Sequence, residues 1–240
     1  MKRILLILLT LTLSACAPPV DEPPPPTAAL LSATPQPAST SPSAIPATLQ
    51  PAAGFPVEVS LNDIPAVLTS VPENFTQNIC QDTRPLQLIR SLQTAIQTRD
   101  GELLASLVDP ASGVGVRFIR SGNVITYFEN IKFIFETTYQ ADWGLSAGSG
   151  EPIKGSFQEI VLPSLEAVLS SNPLVTCNSL KVGGTTYIPE WPYSGMDYYS
   201  VHFPGTDQYA GLDWETWGIG LTRQEGKPTL AALVHYNWEP

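Results

Sequence analysis

Basic residues are scarce in this chain: 12 Lys and Arg stand against 22 Asp and Glu in 240 residues, a formal net charge of −10. A surface with that balance repels nucleic-acid phosphates and anionic lipid headgroups, so nucleic acid is not an expected partner. Histidine occurs twice, as His202 and His235, and cysteine three times, as Cys16, Cys80 and Cys177. No Cys has a second Cys or a His at ligand spacing, which argues against a zinc site. The signatures of several enzyme classes are missing as well. The glycine-rich stretch Gly148-Ser149-Gly150 lacks the Gly-Lys-Ser/Thr ending of a phosphate loop and the alternating carboxylates of a calcium loop. No apolar run reaches the roughly 20 residues that cross a bilayer. Neither a cofactor nor a metal is expected.

What is present begins with Lys2 and Arg3, followed by an apolar stretch over 4–13 and the sequence Leu13-Ser14-Ala15-Cys16. A positive start and a short apolar run predict a cleavable export signal over 1–15. The Leu-Ser-Ala-Cys ending resembles the bacterial lipoprotein processing site. That resemblance implies that Cys16 is lipidated and becomes the new N-terminus of an extracytoplasmic, membrane-anchored envelope lipoprotein. Loss of Lys2 and Arg3 would leave 10 basic residues against 22 acidic ones. The membrane would then be a partner through the acyl chains on Cys16, with no polybasic patch to help. Residues 16–56 are rich in Pro, Ala, Ser and Thr and include Pro23-Pro24-Pro25-Pro26. Such a segment cannot bury enough apolar surface to offset its ordering entropy, so a disordered tether is predicted. A single globular domain is expected over 57–240.

Within that domain Cys80 and Cys177 form an even pair. In an oxidising compartment they read as a disulfide, with two separate buried thiols as the alternative. Pro85 is placed as a first helical residue ahead of Leu86, Ile89, Leu92 and Ile96 on one face. Asp100 suits the N-cap of a second short helix through Val108, stopped by Pro110. Residues 114–120 and 123–128 read as strands. Residues 129–136 fit a helix or a strand, the helix being favoured. Ser156 and Glu159 have capping-box spacing, and Pro163 predicts a bent or broken helix over 157–169. Beyond Pro173 the pattern is β-like. Its clearest piece is a hairpin turning at Glu225-Gly226, with Trp217, Ile219 and Leu221 on one strand and Leu230, Val234, Tyr236 and Trp238 on the other. If those apolar sets share a face, His235 lies on the opposite one beside Gly218 and Gly220. The space left by these small residues would suit a packed helix or a cavity.

Helices followed by such strands predict an α+β fold, with N-terminal helices packed on a curved antiparallel sheet. The order is similar to the cone-shaped fold of nuclear transport factor 2. A set of motifs, Asp142-Trp143-Gly144, Gly148-Ser149-Gly150-Glu151-Pro152-Ile153, Asp213-Trp214 and the closing Val234-His235-Tyr236-Asn237-Trp238, resembles a family of uncharacterised bacterial extracytoplasmic lipoproteins. Asp109 stands where that family commonly has a His. The resemblance brings no activity with it. On the residues alone the glycine-rich stretch is a turn that positions Trp143, and His235 is either a hydrogen-bonded structural residue or a pocket acid or base paired with Asp213. A candidate ligand pocket would combine His235, Asp213, Trp214 and Trp143. The functional expectation is non-catalytic binding of a small ligand, glycan or envelope protein. The alternative is a hydrolase using an Asp/His pair, or a carboxylate pair from Glu136, Asp142, Glu151 and Asp213.

Overall fold

The computed structural model describes residues 58–64 and 78–240. The export signal, Cys16 and the tether lie outside the described residues.

Strand β1 (Val59–Ser60) is followed by helix α1 (Arg84–Thr98). Pro85 occupies the first turn of α1, where its missing N–H costs nothing. The helix buries Leu88, Ile89, Leu92, Ala95 and Ile96 along one stripe. Asp100 caps α2 (Gly101–Ser106) by accepting the Leu103 N–H at 2.9 Å. Strands β2 (Val114–Arg117) and β3 (Ile125–Tyr127) form a hairpin. Residues 129–136 depart from expectation, holding only one 3-10 turn at Ile131–Phe133. Asn130 enters that turn with a left-handed backbone, and Ile131, Ile134 and Phe135 are buried without a continuous helix.

Strands β4 (Ala141–Leu145) and β5 (Pro152–Gly155) make a separate two-stranded sheet. The glycine-rich stretch is its turn, closed by Ser146 N–H donating to Glu151 O at 2.9 Å. The Ser156–Glu159 capping box forms in full. It opens a π-helical turn at Phe157–Val161 that runs into α3 (Leu162–Ser170). Pro163 has no N–H to offer the preceding turn, so the broken helix has its expected cause.

The remaining strands are β6 (Leu174–Cys177), β7 (Asp197–Phe203), β8 (Glu215–Gln224) and β9 (Lys227–Asn237). With the earlier ones they form a seven-stranded sheet in the order β1-β6-β7-β8-β9-β2-β3. All its neighbours are antiparallel except β2 and β9, which run parallel. The helices pack on the inner face against Val175, Val201, Trp217, Ile219 and Leu233. The fold is therefore α+β, with helices on a largely antiparallel sheet.

Cys80 and Cys177 form a disulfide with Cα atoms 5.6 Å apart, 97 residues apart in sequence. It fastens the segment before α1 to β6, and Tyr199 Oη adds a bond to Ile79 O at 3.0 Å.

The β8–β9 hairpin turns at Glu225-Gly226, both with positive φ, as a two-residue turn matched to strand twist requires. Its faces differ from expectation. Near the turn Leu221 pairs with Leu230, but Gly220 pairs with Ala232, so Ala231 is an extra, bulged residue. One added residue reverses the alternation beyond it. Trp217 is consequently opposite His235, and Gly218 opposite Val234. His235 thus shares the inner face with Trp217 and Ile219, while Val234 and Tyr236 face outward.

That outer face is covered by the chain between β6 and β7. Thr176, Ser200 and Thr216 hold this strap through bonds to Ser179 O, Lys181 N–H and Lys181 O. Trp191 lies over the two glycines of β8. A Cβ on Gly218 would come within 2.6 Å of the Trp191 ring, and one on Gly220 within 2.9 Å. The space left by these small residues holds an indole, not a helix or a cavity.

Candidate functional site

The two antiparallel strands of the hairpin and α3 bring one polar cluster together on the inner face. His235 on β9 lies between Phe118, stacked at 4.8 Å, and Trp217, at 4.9 Å between ring centroids. Its Nδ1 is 3.1 Å from Phe118 O, and its Nε2 is 3.2 Å from Glu215 Oε2. Ser164 on α3 donates to the same Glu215 oxygen and accepts from Trp217 Nε1 at 3.0 Å. Burial pushes the Glu215 carboxyl up, but the bonds from His235 and Ser164 outweigh it, and the group lies below the usual carboxylate range. Both groups facing the imidazole are acceptors, and the Ser164 hydroxyl is engaged on both sides. His235 is only 4% exposed. The cluster joins α3 to β8 and β9, and each of its members is spoken for.

The four residues expected to form a pocket do not converge. Trp143 is buried in the main core, donates from its indole to Gly155 O at 3.0 Å and meets Phe118 edge-on. Trp214 is buried on the opposite side of the sheet with Val234 and Tyr236, and its indole donates to Gly184 O at 2.9 Å. Asp213 is not the partner of His235. Its carboxylate takes the Thr206 N–H at 2.7 Å and the Thr206 hydroxyl at 2.8 Å, and the first of these chiefly holds it below the ordinary range. Among the other candidate carboxylates, Asp142 lies 3.6 Å from Lys154. The partner of His235 is Glu215, two residues beyond Asp213. The bulge at Ala231 moved the histidine to the face on which Glu215 stands, and no local sequence signal marks that bulge.

Open space lies elsewhere. One cleft of about 300 Å³ is lined by Tyr127, Glu129, Asn130, Phe133, Glu136 and Thr137. Tyr127 packs its ring edge-on against Phe157 at 5.7 Å, and its buried hydroxyl has no hydrogen-bond partner. Burial pushes that hydroxyl up to about 12. A second cleft of about 390 Å³ involves Ile79, Met196, Asp197, Leu221 and Arg223 beside the disulfide. The sequence gives no sign of the first, because the apolar spacing over 129–136 suits a regular element whereas the chain there holds one 3-10 turn. Among the described residues no three His, Cys, Asp or Glu side chains gather to hold a metal, and no helix is long and apolar enough to cross a membrane.

No protein-family model and no curated protein matches the chain. Two solved structures align with it. One is described as Rd1NTF2_05 with five substitutions, at 12% identity and a TM-score of 0.27, covering 62% of this chain and 94% of that one. The other is described as a calcium/calmodulin dependent protein kinase II association domain from Xanthomonas campestris. It is 14% identical, with a TM-score of 0.26, and the alignment covers 71% and 97% of the two chains. Scores of that size carry no argument about function.

Proposed function

We propose that this chain is a lipid-anchored domain of a bacterial envelope, held by acyl groups on Cys16 through the 16–56 tether, and that its domain binds a ligand without transforming it. The lipobox and the acidic, tether-bearing composition support the anchor. One observation carries the non-catalytic half: the histidine that stands beside a carboxylate is sealed between two aromatic rings with both nitrogens facing acceptors. A general base must reach a substrate proton within hydrogen-bonding distance, and this one has no free nitrogen to do so. The hydrolase alternative with Asp213 loses its acid to Thr206. The binding half rests on the cleft of about 300 Å³ beside Glu129, Phe133 and Glu136, open space of the size that holds a small ligand.

Two experiments test this reading. Labelling cells with a fatty-acid analogue should mark the wild type and leave Cys16→Ser unlabelled and released from the membrane fraction. Equal labelling of both proteins defeats the anchor. Turnover of chromogenic esters or glycosides that disappears in Glu215→Gln, with the fold intact by circular dichroism, defeats the non-catalytic assignment.

A further inference from the structure

The disulfide stands at the border of the second cleft. Cys177 faces Tyr199 across β6 and β7, and Asp197 faces Leu221 across β7 and β8. Asp197 and Tyr199 are two residues apart on β7, so these pairs are successive rows on one face of the sheet. Asp197 and Leu221 line the cleft, and Ile79, next in sequence to Cys80, is part of its wall. The two sulfurs belong to unlike surroundings. Cys80 lies in the turn Ile79–Gln81, where Asn78, Cys80 and Gln81 are exposed and Ile79 is buried. Cys177 is half-buried on β6, a strand with ladders on both sides, to β1 and to β7. Besides the crosslink, the Tyr199 hydroxyl ties the turn to the sheet by donating to Ile79 O at 3.0 Å.

Thiol–disulfide exchange begins with a thiolate attacking a sulfur that it can reach. We propose that the Cys80–Cys177 bond is an exchangeable latch, opened by a dithiol that attacks Cys80, and that its opening frees the 78–82 turn from β6 and enlarges the cleft. The first thiolate of the dithiol bonds to Cys80 Sγ. The Sγ–Sγ bond breaks, and its electron pair leaves on Cys177, which takes up a proton. The second thiol then loses its proton and attacks the mixed disulfide, releasing Cys80 as a thiol. Two electrons have passed to the protein, and the dithiol ends as a disulfide. With the crosslink open, β6 keeps both ladders while the turn can leave. Tyr199 and Leu221, now 3% and 2% exposed, are then uncovered, and their apolar surface joins the cleft of about 390 Å³. The oxidised domain keeps the cleft small, and the reduced one offers a larger and more apolar space.

The test uses the full protein, labelled with ¹⁵N and free of denaturant. Dithiothreitol followed by iodoacetamide should alkylate Cys80 and Cys177, read by peptide mass, at a rate proportional to the dithiol. That rate should change by less than about twofold on adding 1 M urea. A rise of about fivefold or more per molar urea means that reduction waits for global unfolding, and overturns the latch. With 2-mercaptoethanol the mixed disulfide should be trapped on Cys80 while Cys177 is alkylated, and the reverse distribution overturns the assigned attack. The reduced protein should keep its far-UV circular dichroism and shift its amides at 79–82, 194–197 and 221–223. Collapse of the circular dichroism, or shifts confined to the two cysteines, refutes the proposal. Cys80→Ser should show the reduced spectrum and ignore dithiothreitol. A Cys80→Ser spectrum matching the oxidised wild type at 194–197 and 221–223 refutes it as well.

Discussion

Lowering the pH from 7 to 4 should unfasten the strap from the sheet's outer face through one residue, His202. This histidine is 3% exposed and lies on β7 opposite Thr216. Thr216 gives its own proton to Lys181 O at 2.8 Å, so its oxygen accepts from His202 Nδ1, also at 2.8 Å. Burial, reinforced by the charge of Lys181 and opposed by Glu58, depresses the imidazole from 6.5 to about 4. An unfolded chain takes up the proton near pH 6.5, whereas the folded one resists until about pH 4. The contribution is therefore complete above pH 6.5 and declines by about 1.4 kcal/mol for each pH unit below it. Over the whole window the loss is about 3 kcal/mol, a large part of an ordinary domain's stability. Urea unfolding of wild type and His202→Asn at pH 7, 5.5 and 4.5 isolates this effect. The asparagine amide can stand where Nδ1 stands, and the carboxylates titrate alike in both proteins. Their stability difference should change by about 3 kcal/mol in the variant's favour as pH falls. Parallel pH profiles, or a His202 ring resonance titrating near 6.5 in the folded protein, would refute the argument.

Other consequences can be checked on the same protein. Replacing Cys80 and Cys177 by Ala should cost about 4–5 kcal/mol, the loop-closure value for a crosslink of this span, read from denaturant midpoints in oxidising buffer. Gly218→Ala should destabilise by about 1–3 kcal/mol through overpacking against Trp191. The cost should shrink in a Trp191→Leu background, and independence from residue 191 would contradict the packing. Glu215→Gln should lose about 1–2 kcal/mol, modest because the carboxylate is partly solvated. The loss should be present above the unfolded glutamate range and vanish as acid protonates the wild-type group, which unfolding at pH 7 and pH 3 would show.

The parts of this fold that sequence makes plain are those decided within a few residues. Pro85 starts α1, Asp100 caps α2, and Ser156 with Glu159 opens the broken helix because each of these signals acts on its own turn. The two-residue turn at Glu225-Gly226 is likewise local. Residues 129–136 carry an apolar spacing that suits a helix, yet burial of Ile131, Ile134 and Phe135 is achieved by an irregular path. The pairing of His235 failed to show for a different reason. Its neighbour depends on Ala231, whose sequence gives no sign that it stands outside the ladder. Asp213 and Glu215 both lie near the start of β8, and only the true register chooses between them. The strap over the outer face was equally hidden, because Gly218 and Gly220 announce a vacancy without naming its occupant.

Ala231 also sets a rule for how this hairpin can change over time. Side chains on either strand can be exchanged one at a time, each answered by a local adjustment. Chain length between Trp217 and His235 has no such freedom away from the turn. Removing or adding one residue there would carry His235 and Leu233 to the strap side and send Val234 and Tyr236 toward the helices. Two cores would be exchanged at a stroke. Descendants of this sequence should therefore vary in the letters of β8 and β9 while keeping their spacing, and should accept insertions at the exposed Glu225 turn, where extra residues leave both ladders in phase.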